Sequence, residues 1–130
     1  MLIFGHRFIS SDALYHVSSI DAVKNTPPSS TVFLPFSEEN LDIINHVTQN
    51  SVLFALSVES ITQIVYASLL GALYIVVPKD LAKSAQDIAN NYLFDAKILV
   101  SIEDEDEIEE LAVLGVDGVI FSNAVIKINS

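Results

Sequence analysis

The chain contains no cysteine and no tryptophan, and only four glycines, four prolines and one methionine in 130 residues. Without cysteine there is no disulfide framework, no thiolate metal site and no thiol nucleophile. So little glycine and proline also excludes a linker or a low-complexity tail. Positive charge is scarce. Six Lys and Arg stand against 17 Asp and Glu, a formal net charge of −11, which repels a phosphate backbone and argues against nucleic acid as a partner. No apolar run approaches the roughly 20 residues that span a bilayer, so a membrane is not expected as a partner. The opening Met1-Leu2-Ile3-Phe4-Gly5-His6-Arg7 has too short an apolar run and the wrong charge order for a secretory signal. A cytoplasmic protein is the expectation.

What the sequence does have is apolar surface to bury. Hydrophobic residues make up 51% of it, and a chain of this size buries roughly two thirds of the surface its unfolded form exposes. One α/β domain over residues 1–130 follows. A closed barrel of eight βα units typically needs about 200 residues or more, and the chain is too short for one.

Short apolar runs alternate with stretches of helical spacing. The runs lie at 2–4, 14–17, 31–36, 52–58, 72–77, 96–102 and 118–121. Continuous hydrophobic strands of this kind belong to parallel sheets covered on both faces. Between them, apolar residues recur three and four apart: Leu41, Ile44 and Val47; Ile61, Ile64, Val65 and Leu69; Leu81, Ala85, Ile88, Ala89 and Tyr92; Ile108, Leu111 and Ala112. Ser37, Ser57 and Ser101, with carboxylates close behind, and Asp80, after Pro78, read as helix starts, and Gly71 and Gly115 as helix stops. From residue 31 to 121 this gives four βα units and a final strand, in parallel order. Too few residues separate the first two apolar runs for a parallel crossover, so a hairpin is expected there, or a run that is not a strand. Residues 20–24 fit a short helix ended by Pro27 and Pro28.

The fold expected is therefore a largely parallel sheet of five to seven strands. An open sheet is the first choice and a partial, half TIM barrel the alternative. A barrel fragment leaves strand edges and an apolar inner face uncovered, so a homodimer is the expected assembly.

Ligand sites in such sheets lie at the C-terminal ends of the strands. The polar residues there are Ser37, Ser57, Lys79, Ser101, Ser122 and Asn123, joined by His6 and Arg7 if the first strand runs with the rest. Lys79, Ser101, Ser122 and Asn123 are the candidate ligand-binding residues, although helix capping alone accounts for the serines. His6 is a candidate acid or base and Arg7 a candidate phosphate clamp. The acids from Glu103 to Glu110 read as a solvated helix face. Hard-metal sites need carboxylates converging from several directions, so no metal is expected. His46 reads as a surface residue, and His16 as one that could approach a site. No Walker lysine loop, GxGxxG, GxSxG or HExxH occurs, and no cofactor is implied.

The segment 100–123, with Val100-Ser101-Ile102 followed by an acidic helix start, Leu114-Gly115 and then Gly115-Val116-Asp117-Gly118-Val119, resembles the closing βαβ of glycerophosphodiester phosphodiesterases and related phosphate-binding TIM barrels. Ile3-Phe4-Gly5-His6-Arg7 is similar to the His-Arg that opens the phosphodiesterase family. The resemblance implies that His6 corresponds to a catalytic histidine and Arg7 to a phosphate-contacting arginine. The family's following glycine is Phe8 here, its Glu-x-Asp metal pair has no counterpart, and a second catalytic histidine is absent. Two functions are carried forward. The first is a non-catalytic interaction or small-ligand-binding module, with a small phosphorylated molecule among its candidate ligands. The second is a small phosphate-ester enzyme using His6, Arg7 and Lys79.

Overall fold

The computed structural model of the chain describes residues 1–128. Its strands are β1 (Leu2–Phe4), β2 (Leu14–His16), β3 (Thr31–Pro35), β4 (Leu53–Ser57), β5 (Tyr74–Val77), β6 (Lys97–Ile102), β7 (Gly118–Phe121) and β8 (Val125–Lys127). Its α-helices are α1 (Ile20–Lys24), α2 (Leu41–Gln49), α3 (Ile61–Leu70), α4 (Ala82–Asn91) and α5 (Glu107–Leu114). Single 3-10 turns lead into α2 and α4, and another joins β7 to β8. None of these helices is long and apolar enough to cross a membrane.

All eight strands belong to one parallel sheet in the order β1-β7-β6-β5-β4-β3-β2-β8. That order forces curvature. In a flat sheet the six steps from β7 to β8 would span roughly 29 Å at the usual strand spacing. The chain passes from Phe121 to Val125 directly, a reach of at most ~15 Å. The sheet therefore curls until β8 comes within reach of β7, giving a half-barrel. Across the curl the rings of Phe4 on β1 and Tyr74 on β5 lie edge to face with centroids 5.3 Å apart, although two strands stand between theirs.

The two faces of the sheet are packed differently, as the period-2 alternation of strands requires. On the outer face Leu34, Leu56, Ile75, Ile98, Val100 and Val119 bury against Ile44, Val47, Ile64, Ala67, Ala85, Ala89 and Leu111 of the helices. On the inner face Phe4, Leu14, Ala55, Val76, Leu99, Ile120 and Ala124 pack against one another, with Phe33, Tyr74 and Val125 beside them. Among the described residues no α-helix contributes to this inner cluster. The helices thus cover one face, and the other is filled by the sheet's own side chains.

Three expectations are corrected. The strands number eight rather than five to seven, because both N-terminal runs are strands and β8 follows β7. The first two runs form no hairpin: β1 pairs with β7, and β2 pairs with β3 and β8, all in parallel. Segment 5–13 needs no crossover across a sheet face, because curling brings the two ends of the strand order together. For the same reason the sheet is a curled half-barrel and not the open sheet that was the first choice.

The helix signals hold in part. Gly71 and Gly115 end α3 and α5 in the left-handed region, with φ of 90° and 89°, and the Ser37 hydroxyl accepts from the Glu39 N–H at 3.2 Å. For α3 the capping hydroxyl is that of Ser60, not Ser57. Ser101 is no cap at all, because it lies inside β6. The approach to α5 is capped by its own acids: the Glu107 carboxylate accepts from the N–H groups of Glu103 and Asp104, and Asp104 from that of Asp106.

One polar network ties β1, β6 and β7 to α4. Gln86, the only buried polar side chain among the described residues, accepts from the Asp117 N–H at 2.8 Å and donates to Asn90 at 3.0 Å. The Asp117 carboxylate accepts from the Ile98 N–H at 2.9 Å, and its carbonyl accepts from the Leu2 N–H at 2.8 Å. Every buried polar atom in it finds a partner, as a low-dielectric interior demands.

Candidate functional site

Because β1 runs parallel to the other strands, its C-terminal end opens on the same rim as those of β6 and β7. Gly5 makes the turn out of β1 with φ of 94°. A Cβ there would lie 2.6 Å from the Asn123 Oδ1, the movable end of a side chain, so it is the backbone conformation that calls for glycine. Asn123, just past β7, donates from Nδ2 to the Gly5 carbonyl at 2.9 Å. The turn thereby presents His6 and Arg7 to the loop that follows β6.

There the His6 ring makes two hydrogen bonds. Its Nδ1 accepts from the Phe8 N–H at 3.2 Å, and its Nε2 lies 2.6 Å from the Glu105 carboxylate. An amide donor at Nδ1 requires the lone pair on that nitrogen, which places the proton on Nε2, aimed at Glu105. The ring is held between those of Phe8 and Phe121, with centroids at 5.2 and 5.8 Å, and its side chain is only 11% exposed. Arg7 is 69% exposed, stands 3.7 Å from the same carboxylate and lays its guanidinium 4.6 Å from the Phe8 ring centroid. Around these groups is an open cavity of about 730 Å³, walled by segment 5–11 on one side, Glu103, Asp104 and Glu105 on another, and Asn123 below.

The hydrogen bond from His6, and after it the charge of Arg7, hold the Glu105 carboxyl below its ordinary value of 4.5. The Glu107 carboxyl is lowered as well, chiefly by the N–H groups of Asp104 and Glu103. A carboxyl depressed in the folded state binds fewer protons there than in the unfolded chain. Its stabilisation is present above the unfolded value of 4.5 and is lost as pH falls below it. Glu105→Gln is accordingly expected to flatten the fall in melting temperature below pH 4.5. Superimposable acid limbs for variant and parent would remove Glu105 from this role.

Both ring nitrogens of His6 are engaged, so acid–base work by this side chain would require Glu105 to leave. The wall of three carboxylates opposes an anion, and Arg7 is the cation placed to receive one. No group of three or more ligating side chains among the described residues is arranged to hold a metal ion.

Of the residues singled out from sequence, His6, Arg7 and Asn123 line this cavity, whereas Lys79, Ser101 and Ser122 do not. Lys79 is paired with Glu107 and Glu110 at 3.5 and 3.2 Å, and the hydrogen bond to Glu110 raises its pKa. Ser101 is exposed on β6 and Ser122 begins the turn after β7. His16 sits against the edge of Phe33, its pKa lowered by burial and then by Lys127, and His46 meets Asn50 at 3.3 Å. Glu105 is the residue that sequence reasoning missed. The acids directly follow β6, at a strand end of the kind that lines ligand sites in parallel sheets. No family model matches the chain, and no curated protein does either.

Proposed function

We propose that the protein is a non-catalytic small-ligand-binding module whose site is the cavity between the His6 turn and the loop after β6. The observation that carries this reading is the engagement of both His6 nitrogens, one by the Phe8 N–H and one by Glu105. The imidazole joins two loops at the rim and is not a free base. The remaining lining groups are suited to recognition. Arg7 offers an exposed guanidinium for an anionic group, Asn123, Ser10 and Ser11 offer neutral polar contacts, and the acids accept from hydroxyl or amino groups. A small phosphorylated polyol meets these requirements together.

A phosphate-ester enzyme is the rival, because His6 and Arg7 face one cavity, as such chemistry needs. Titration with glycerol 3-phosphate followed by amide chemical shifts, together with an assay on a phosphodiester chromogen, separates the two. The binding reading expects shifts confined to residues 5–11, 103–105 and 123, affinity at least tenfold weaker in Arg7→Ala, no turnover, and a lowered melting temperature in His6→Ala. Turnover that disappears in His6→Ala at an unchanged melting temperature would establish the enzyme instead.

A further inference from the structure

We infer that the chain self-associates as a two-fold dimer through the outer face of α3 and the adjoining end of α4. The helix α3, Ile-Thr-Gln-Ile-Val-Tyr-Ala-Ser-Leu-Leu, carries no charged residue, in a chain of net charge −11 whose four other α-helices all carry some. Its inner side buries Ile64 and Ala67 against the sheet. Its outer side, where a surface helix ordinarily places charge, holds the exposed Ile61, Val65, Tyr66 and Leu69. Beside it the chain leaves α4 through Tyr92 and Leu93, and Leu93 takes up the left-handed conformation at φ 55° that favours glycine or asparagine. Leu69, Tyr92 and Leu93 are 81%, 75% and 84% exposed.

The patch is shaped to receive a copy of itself. Val65, Ser68, Leu69, Tyr92, Leu93, Phe94 and one acid, Asp95, surround a hollow of about 530 Å³. A two-fold axis through the patch lets each copy's Leu93 enter the other's hollow, as an isologous contact requires. At roughly 200 Å² per large side chain, the exposed apolar groups amount to on the order of 700 Å², close to the ~800 Å² per partner of a standard stable interface. It also exceeds the few hundred Å² that monomers ordinarily leave in water.

Area selects the occupant. The exposed apolar groups approach what one partner of a stable dimer covers, and α3 itself brings no charge to the contact. Asp95, on the wall of the hollow, is an acid that lies within it. The inner face of the half-barrel, whose exposure was the sequence argument for a dimer, is filled by its own side chains. The hollow, at the C-terminal ends of α3 and α4, lies by the N-terminal ends of β5 and β6 and away from the His6 cavity at the strands' C-terminal ends.

Sedimentation equilibrium of the full chain at 1–100 μM, compared with Leu69→Lys and with Leu93→Asn, tests the inference. The expected result is a species of twice the 14.2 kDa chain mass and at least a hundredfold weaker association in Leu69→Lys, with an unchanged circular dichroism spectrum. That substitution moves the net charge toward neutrality, so added repulsion cannot explain the loss. Leu93→Asn suits the left-handed backbone and should weaken association without weakening the fold. Val113→Lys, at an exposed position on α5 away from the hollow, should leave the dimer intact. A parent chain that stays monomeric at 100 μM, or a dimer that survives Leu69→Lys, overturns the inference.

Discussion

Gly118→Val is expected to destabilise the fold by about 3 kcal/mol, at the upper end of what overpacking a closed site costs. Gly118 opens β7, buried between β1 on one side and β6 on the other, opposite Leu2 and Leu99. A Cβ at this position would lie 2.7 Å from the Leu2 carbonyl oxygen and 2.8 Å from both the Leu2 Cβ and a Leu99 methyl. A flexible side chain could yield, but a backbone oxygen and a Cβ move only if β1 moves. The penalty is one of space, and it falls on the strand that carries Gly5 and His6 to the rim. Urea denaturation measures it. A loss below about 1 kcal/mol would mean that β1 is free to shift and that the rim geometry does not depend on its seat against β7.

This glycine also shows how much of the architecture was legible. The four βα units between residues 31 and 121 follow from apolar runs and helical spacing, because each element buries a face and the periodicities record which one. What could not be read was the curl. It depends on the strand order, and the order is set by which distant runs pair, for which three-residue strands such as β1 and β2 leave almost no local trace. The segment that resembles phosphate-binding barrels owes part of its pattern to architecture. In Gly115-Val116-Asp117-Gly118, the first glycine ends α5, Asp117 anchors the Ile98 amide, and Gly118 makes room for Leu2. Those duties recur wherever a helix returns to a tightly packed parallel strand, whatever the ligand.

The candidate site was legible to the same degree. His6 and Arg7 were found because they follow an apolar run and are chemically distinctive against an acidic background. Asn123 was found by its place after a strand. Glu105 was hidden by its neighbours: in a run of seven acids among residues 103–110, nothing in the spacing distinguishes the one that turns toward β1. Lys79 shows the converse. Its position at the end of β5 suggested a ligand contact, yet Glu107 and Glu110, one α-helix away, are the charges it meets. Strand-end reasoning identifies the rim; which rim residues face one another depends on the curl.

Phe4→Ala tests that curl directly, with an expected loss of about 3–4 kcal/mol, in the range for deleting a buried aromatic side chain. Phe4 is only 7% exposed and belongs to the inner cluster with Leu14, Leu99 and Ile120. In a flat sheet a side chain on β1 could not touch one on β5, so its edge-to-face contact with Tyr74 exists only because the sheet bends back on itself. A second readout separates this contact from general core loss. Burial, followed by the charge of Asp12, holds the Tyr74 phenol above its ordinary value. Removing the Phe4 ring admits water to one side of Tyr74, so its titration should move back toward the ordinary phenol range, measured by following the Tyr74 ring resonances with pH. Phe8→Ala, which removes an exposed ring four residues along and with it only the contacts to His6 and Arg7, should cost far less stability and leave the Tyr74 titration unchanged. A Phe4→Ala protein that unfolds at the parent's urea midpoint, with Tyr74 titrating as before, would show that β1 and β5 do not pack across the curl. The rim would then lack the support that holds His6 opposite Glu105.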